Sequence, residues 1–115
     1  MAIERFEKSP RMSQAVVHGD TVHLAGVVAD DPKADIKGQT QSVLTKIEAL
    51  LAKAGTSKAN LLSAVIYLSD MRTFSAMNEV WDAWVDTANP PARACVGALL
   101  ARPEFLVEIM VVAAK

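Results

Sequence analysis

Two apolar runs near the C-terminal end of the chain, Pro90-Pro91-Ala92-Arg93-Ala94-Cys95-Val96 and Leu106-Val107-Glu108-Ile109-Met110-Val111, contain almost no polar side chains. Runs of this length and composition form strands that bury both faces, so the chain has to build layers around a sheet. The polar side chains within them are Arg93, Cys95 and Glu108. An unpaired buried charge costs on the order of several kcal/mol, so an arginine and a glutamate kept there need a partner or a task. Holding and hydrolysing a small carboxylate is a task that these groups suit.

The remaining segments supply what such a sheet packs against. Ser13 to His18 and Thr21 to Gly26 flank Gly19-Asp20, a pair favoured in tight two-residue turns, and predict a β-hairpin. Asp30 to Asp35 is polar, and Pro32 disfavours helix at Asp31, so this stretch reads as a loop. From Ile36 to Ala54 the residues Val43, Leu44, Ile47, Leu50, Leu51 and Ala54 recur at helical spacing, with Gly55 placed to end the helix. Leu61 to Leu68 reads as a buried strand. Thr73 is positioned to cap a second helix, which carries Phe74, Met77, Trp81, Trp84 and Val85 on one side until Asn89-Pro90-Pro91 forbids continuation. Two strands follow, Arg93 to Leu99 and Phe105 to Ala113. The order is β-β-α-β-α-β-β, an α+β two-layer sandwich with two helices on one face of a mixed sheet. The sheet's other face then needs a cover, and its apolar strands point to another copy of the chain.

At 115 residues the chain has the length of one domain, residues 1–115, and 51% hydrophobic content is high for a small monomer. Twelve basic and thirteen acidic residues leave a net charge of -1 with no basic cluster, which argues against a nucleic-acid partner. Cys95 is the single cysteine, and Met1 to Arg5 lacks the character of a signal peptide, so a reducing cytoplasm is expected. The apolar stretches fall short of the about 20 residues that cross a bilayer, and no membrane association is expected.

Side chains alternate along a strand, which puts Arg93, Cys95 and Gly97 on one face of their strand and Glu108 and Met110 on one face of theirs. If Ala101 to Glu104 is a hairpin loop, Gly97 faces Glu108, Cys95 faces Met110, and all three polar groups share one space. Arg93 then lies roughly 13 Å along the strand from the Glu108 pair, a separation suited to bracketing a small ligand. An arginine fork matches the two oxygens of a carboxylate, and a glutamate against apolar walls suits proton transfer. On residue types alone, the alternative is that Arg93 and Glu108 face solvent or form a structural pair.

The sequence resembles the Rid (YjgF-type) family, small enamine/imine deaminases of reactive intermediates. The resemblance covers nearly the whole chain and is carried by Ser13-Gln14-Ala15-Val16, Ala25-Gly26, the Gln39 to Gly55 helix, and Phe74 with Asn78. Most specific are Pro91-Ala92-Arg93-Ala94-Cys95-Val96 and Val107-Glu108-Ile109. It implies a chorismate-mutase-like fold, a homotrimer with intersubunit clefts, no cofactor and no metal. By the same resemblance Arg93 binds the carboxylate of a 2-imino acid, Cys95 lines the site and supplies backbone contacts, and Glu108 activates water to yield a 2-keto acid and ammonia. Gly26, Phe74 and Asn78 are assigned to substrate binding. Met12, Val27 and Gly97 depart from the family's commonest residues and mark a divergent subgroup, which keeps a non-catalytic carboxylate-binding or ligand-sensing trimer in view. A ribonuclease or mutase activity would call for extra basic residues that the sequence lacks.

Among the remaining polar groups, His18 and His23 have no recognised metal spacing with Cys95. Cys95 reads as a small lining hydrophobe, and Trp81 and Trp84 read as core and interface packing.

Overall fold

Alternation between a buried and an open face builds the N-terminal strands. In the computed structural model, which describes residues 1–115, β1 (Ile3–Phe6) pairs antiparallel with β2 (Ala15–His18), which pairs with β3 (Thr21–Leu24). The turn between β2 and β3 has Gly19 at φ +62°, the left-handed conformation that tight hairpin turns require. A two-residue strand, β4 (Val27–Val28), follows. β1 and β4 are additions to the order predicted from sequence; both are short, and β1 leaves Ile3, Glu4 and Arg5 exposed, so it carries no apolar period.

The first helix, α1 (Ile36–Lys53), is bounded by local chemistry. Asp35 accepts the Gly38 N–H at 2.8 Å at its start. At its end Gly55 takes φ +88°, and the Thr56 N–H reaches the Leu51 carbonyl at 2.9 Å, closing the helix in a Schellman-like turn. Val43, Leu44, Ile47 and Leu51 are wholly buried, each contributing about 1.5–3 kcal/mol of burial. Gln39 is buried with them. Its Nε2 donates to the carbonyls of Ala34 at 3.1 Å and Glu104 at 2.9 Å, and its Oε1 accepts the Leu106 N–H at 2.9 Å. One side chain thereby ties the loop before α1 to the loop before the last strand.

β5 (Leu61–Leu68) leads through a 3-10 turn, Met71–Thr73, into α2 (Phe74–Trp84). Thr73 precedes α2 but makes no side-chain cap; its hydroxyl donates to the Asp70 carbonyl at 2.7 Å, and Asp70 instead caps the 3-10 turn by accepting the Arg72 N–H at 2.9 Å. Trp81 and Trp84 are buried in the core with ring centres 5.4 Å apart. The final strands are β6 (Ala92–Gly97) and β7 (Val107–Ala114).

These strands form one mixed sheet in the order β1-β2-β3-β7-β5-β6, with β4 also paired to β7. Both helices pack on one face, over a cluster of 23 buried hydrophobic residues. The two-layer arrangement matches the expectation; the β6–β7 hairpin does not. β5 lies between them, parallel to β6 and antiparallel to β7. The connection from β5 to β6 carries α2, and a helix-bearing crossover delivers parallel neighbours. β6 therefore takes one side of β5, and β7 takes the other.

This order changes which side chains share a face. Arg93, Cys95 and Gly97 stand beside Ala64, Ile66 and Leu68, which are buried under the helices. Glu108 and Met110 stand beside Tyr67 and Val65 on the opposite, helix-free face. Within one chain Arg93 and Cys95 do not face the same space as Glu108.

Candidate active site

Arg93 lies on β6, the outermost strand at its end of the sheet, where α2 leaves a ledge. Its Nη1 donates to Asn78 Oδ1 at 2.8 Å, and its guanidinium carbon lies 5.9 Å from the Phe74 ring centre and 5.4 Å from that of Trp81. A planar cation held against two aromatic rings loses little further freedom on binding a ligand, and its other N–H groups remain available. Asn78 and Phe74 come from the first turns of α2, four residues apart on one side of the helix, while Trp81 is rooted in the core one turn on. The helix fixes the arginine's position.

The strand edge adds backbone donors. The Ala98 N–H bonds to the Leu68 carbonyl at 3.0 Å, so alternation turns the N–H groups of Arg93, Cys95 and Gly97 away from β5, toward the free edge. The Cys95 N–H thus opens at the free edge of the strand that carries Arg93. The Cys95 side chain is half-buried against the core; burial pushes its thiol above the ordinary range, opposed by the nearby positive charge of Arg93. A thiol held protonated in this way is a lining group and a poor nucleophile.

Glu108 occupies the other face, flanked by Val28 and Tyr67. From His23 to Val27 the chain advances four residues while β7, opposite, goes only from Val112 to Ile109. The extra residue makes a β-bulge, and bulges re-aim side chains. It brings Gly26 so close to Glu108 that a Cβ on this glycine would overlap the carboxylate oxygen Oε2 and lie 3.0 Å from the carboxyl carbon. Gly26 therefore belongs with Glu108, not with the arginine ledge.

The structure thus separates the predicted residues into two groups, Arg93, Cys95, Phe74 and Asn78 on one ledge and Glu108 with Gly26 on the open face. Sequence reasoning did not find Trp81 as a platform for Arg93, nor Tyr67 beside Glu108. The signal for Tyr67 was the chain's single tyrosine, in a strand whose one other polar side chain is Ser63. Val27 is buried in the core, so its departure from the family's commonest residue is a packing matter. His18 and His23 are both exposed on strand surfaces.

A two-layer sandwich of two helices on one face of a mixed sheet defines a class of small α+β proteins with the chorismate-mutase-like architecture. The chain belongs to the YjgF/RutC family: the family profile described as "Endoribonuclease L-PSP" matches residues 2–115. It is 41% identical over 114 residues to a RutC family protein of Haemophilus influenzae, covering 98% of each chain. It is likewise 41% identical over 114 residues to the RutC family protein YoaB of Escherichia coli K12, covering 99% of each. Among solved structures, a YjgF family member from Neisseria meningitidis superposes with a TM-score of 0.97 at 47% identity, covering 100% of this chain and 96% of that one. A family member from Mycobacterium tuberculosis gives 0.88 at 27% identity, covering 99% and 100%.

Proposed function

We propose that the protein is an enamine/imine deaminase, a hydrolase acting on C–N bonds that converts 2-imino acids to 2-keto acids and ammonia. The observation that carries this reading is the Arg93 guanidinium, seated between Phe74, Trp81 and Asn78 beside the outward N–H of Cys95. Two guanidinium N–H groups take the substrate carboxylate. Glu108 removes a proton from water as its oxygen adds to the C=N carbon, and the nitrogen is protonated. The C–N bond of the adduct then breaks, the nitrogen leaves as ammonia, and the carbonyl forms. Positioning and one proton shuttle suffice for this chemistry.

Arg93 and Glu108 lie on opposite faces of one chain's sheet, so one site using both takes them from two copies. Met110, Val65 and Ala94 stand abreast on the helix-free face, giving an apolar surface on which the edge strand of a second copy can lie. The arrangement proposed is a homotrimer in the cytoplasm, with three such clefts.

The family profile's description raises an endoribonuclease reading. Six of the twelve basic residues, Lys37, Lys46, Lys53, Lys58, Arg72 and Arg102, are paired with carboxylates, which leaves little of the basic surface that an RNA backbone needs. A non-catalytic carboxylate-binding trimer is the stronger rival, favoured by Gly97 in place of the glutamate common in the family.

The test is keto-acid release when purified protein is added to 2-imino acids generated in situ by an amino-acid oxidase. Acceleration that disappears in Arg93→Ala supports the deaminase. No acceleration with any substrate, alongside retained keto-acid binding, supports the binding module.

A further inference from the structure

A substrate held at Arg93 has to run its carbon chain along the ledge, and the side chains there are uncharged. Arg93, Cys95 and Gly97 follow one another on the helix side of β6, about 13 Å from first to last. Gly97 contributes no side chain, and Met71, at the start of the 3-10 turn, lies across the space. A Cβ built on Gly97 would stand 3.2 Å from Met71 Cγ and 3.9 Å from its Sδ. Met71, beside Gly97, is 44% exposed and Phe74, beside Arg93, 37%, so both present apolar surface outward. Asp70 and Arg72, the charged residues on either side of Met71 in sequence, are locked to each other, with Arg72 Nη2 2.9 Å from Asp70 Oδ2.

We propose that Met71 is the specificity-determining residue of this site: its thioether, seated over Gly97, closes the far end of an apolar arm and restricts the substrates to 2-imino acids with short, uncharged side chains. The proposal rests on the deaminase reading. Methionine suits the role because its unbranched side chain adapts to what lies against it, while its volume still limits length. Cys95, protonated and half-buried, is the arm's middle wall, and Phe74 its outer wall beside the carboxylate.

The experiment compares wild type with Met71→Ala, Met71→Leu and Gly97→Ala, each first shown to melt as a folded protein. Turnover is measured on imino acids made in situ from alanine, 2-aminobutyrate, leucine and phenylalanine, and Kd is measured for the four corresponding 2-keto acids. Met71→Ala should raise the ratio of long to short side chains about tenfold in both readouts, the discrimination typical of one methylene in an apolar pocket. Met71→Leu, similar in volume, should keep the wild-type ratio. Gly97→Ala should lower it several-fold, because the new Cβ pushes the thioether into the arm. An unchanged ratio across all three variants overturns the assignment of Met71 and leaves deamination standing. Keto-acid affinities that shift as expected without turnover in the wild type support the arm and overturn the deaminase. Absence of both turnover and keto-acid binding in the wild type overturns both.

Discussion

Asn78 Oδ1 accepts a hydrogen bond of 2.8 Å from Arg93 Nη1, so a helix side chain sets the direction in which the strand-borne guanidinium points. The bond leaves the arginine's charge uncancelled, since an amide carries none, while removing the freedom of a long side chain. A carboxylate in Asn78's place would hold the guanidinium as well and neutralise it.

Asn78→Ala should therefore weaken 2-keto acid binding about 3–10-fold, the range of a single hydrogen bond to an exposed charged group. Asn78→Asp should bind more weakly than Asn78→Ala, because the new carboxylate competes with the ligand for the same fork. Titration calorimetry with one keto acid checks both, and wild-type affinity in Asn78→Ala would remove the orienting role.

Glu108→Gln keeps the shape and loses the proton acceptor. Keto-acid affinity should stay within about threefold, and kcat should fall about 10²–10⁴-fold. Turnover equal to wild type would take Glu108 out of the reaction.

Gly26→Ala tests the bulge that brings this glycine against Glu108. The added methyl has to displace the carboxylate, since the two overlap in the present geometry. The expected signature is a kcat loss of at least tenfold with little change in KM, measured on protein whose melting temperature has been recorded in parallel. A loss confined to KM would instead put Gly26 in ligand binding.

Gln39→Leu should destabilise the fold by about 2–4 kcal/mol in urea titration. The substitution strands the Leu106 N–H and the carbonyls of Ala34 and Glu104 inside the protein, and buried polar groups without partners cost about 1–3 kcal/mol each. A change below about 0.5 kcal/mol would show that water takes over these bonds.

The Cys95 thiol holds its proton to higher pH than a free cysteine, through burial and against the pull of Arg93. Between the unfolded and folded thiol values the native state binds more protons, so stability contributed by this group declines as pH rises through that window. Reaction with a disulfide reagent should stay slow at neutral pH and accelerate only above the ordinary thiol range. Arg93→Ala should move that acceleration to still higher pH, because it removes the positive charge that favours the thiolate.

The elements of this fold were legible because their punctuation is local. Gly19, Asp35 to Gly55 and Asn89-Pro90-Pro91 each announce a turn, a helix or a stop through their own chemistry. The partner of each strand was less accessible. β6 and β7 are adjacent in sequence and carry matching apolar patterns, which suits a hairpin; that β5 separates them follows from the crossover through α2, a long-range arrangement that alternation does not encode. The site inherited that error. Arg93 and Glu108 were both named from composition, yet the faces they occupy depend on pairing. The Gly26–Glu108 approach depends on a one-residue bulge visible only once β3, β4 and β7 are in register.

β7 is the last element in chain order, yet it occupies the interior of the sheet, bonded to β3 and β4 on one side and β5 on the other. Until these residues have been made, β3 and β5 have no partner on their inner edges, so the two halves of the sheet are joined late and not strand by strand. Nascent chains stalled before Val107 should accordingly be recognised by chaperones and proteases as unfinished, however complete their helices.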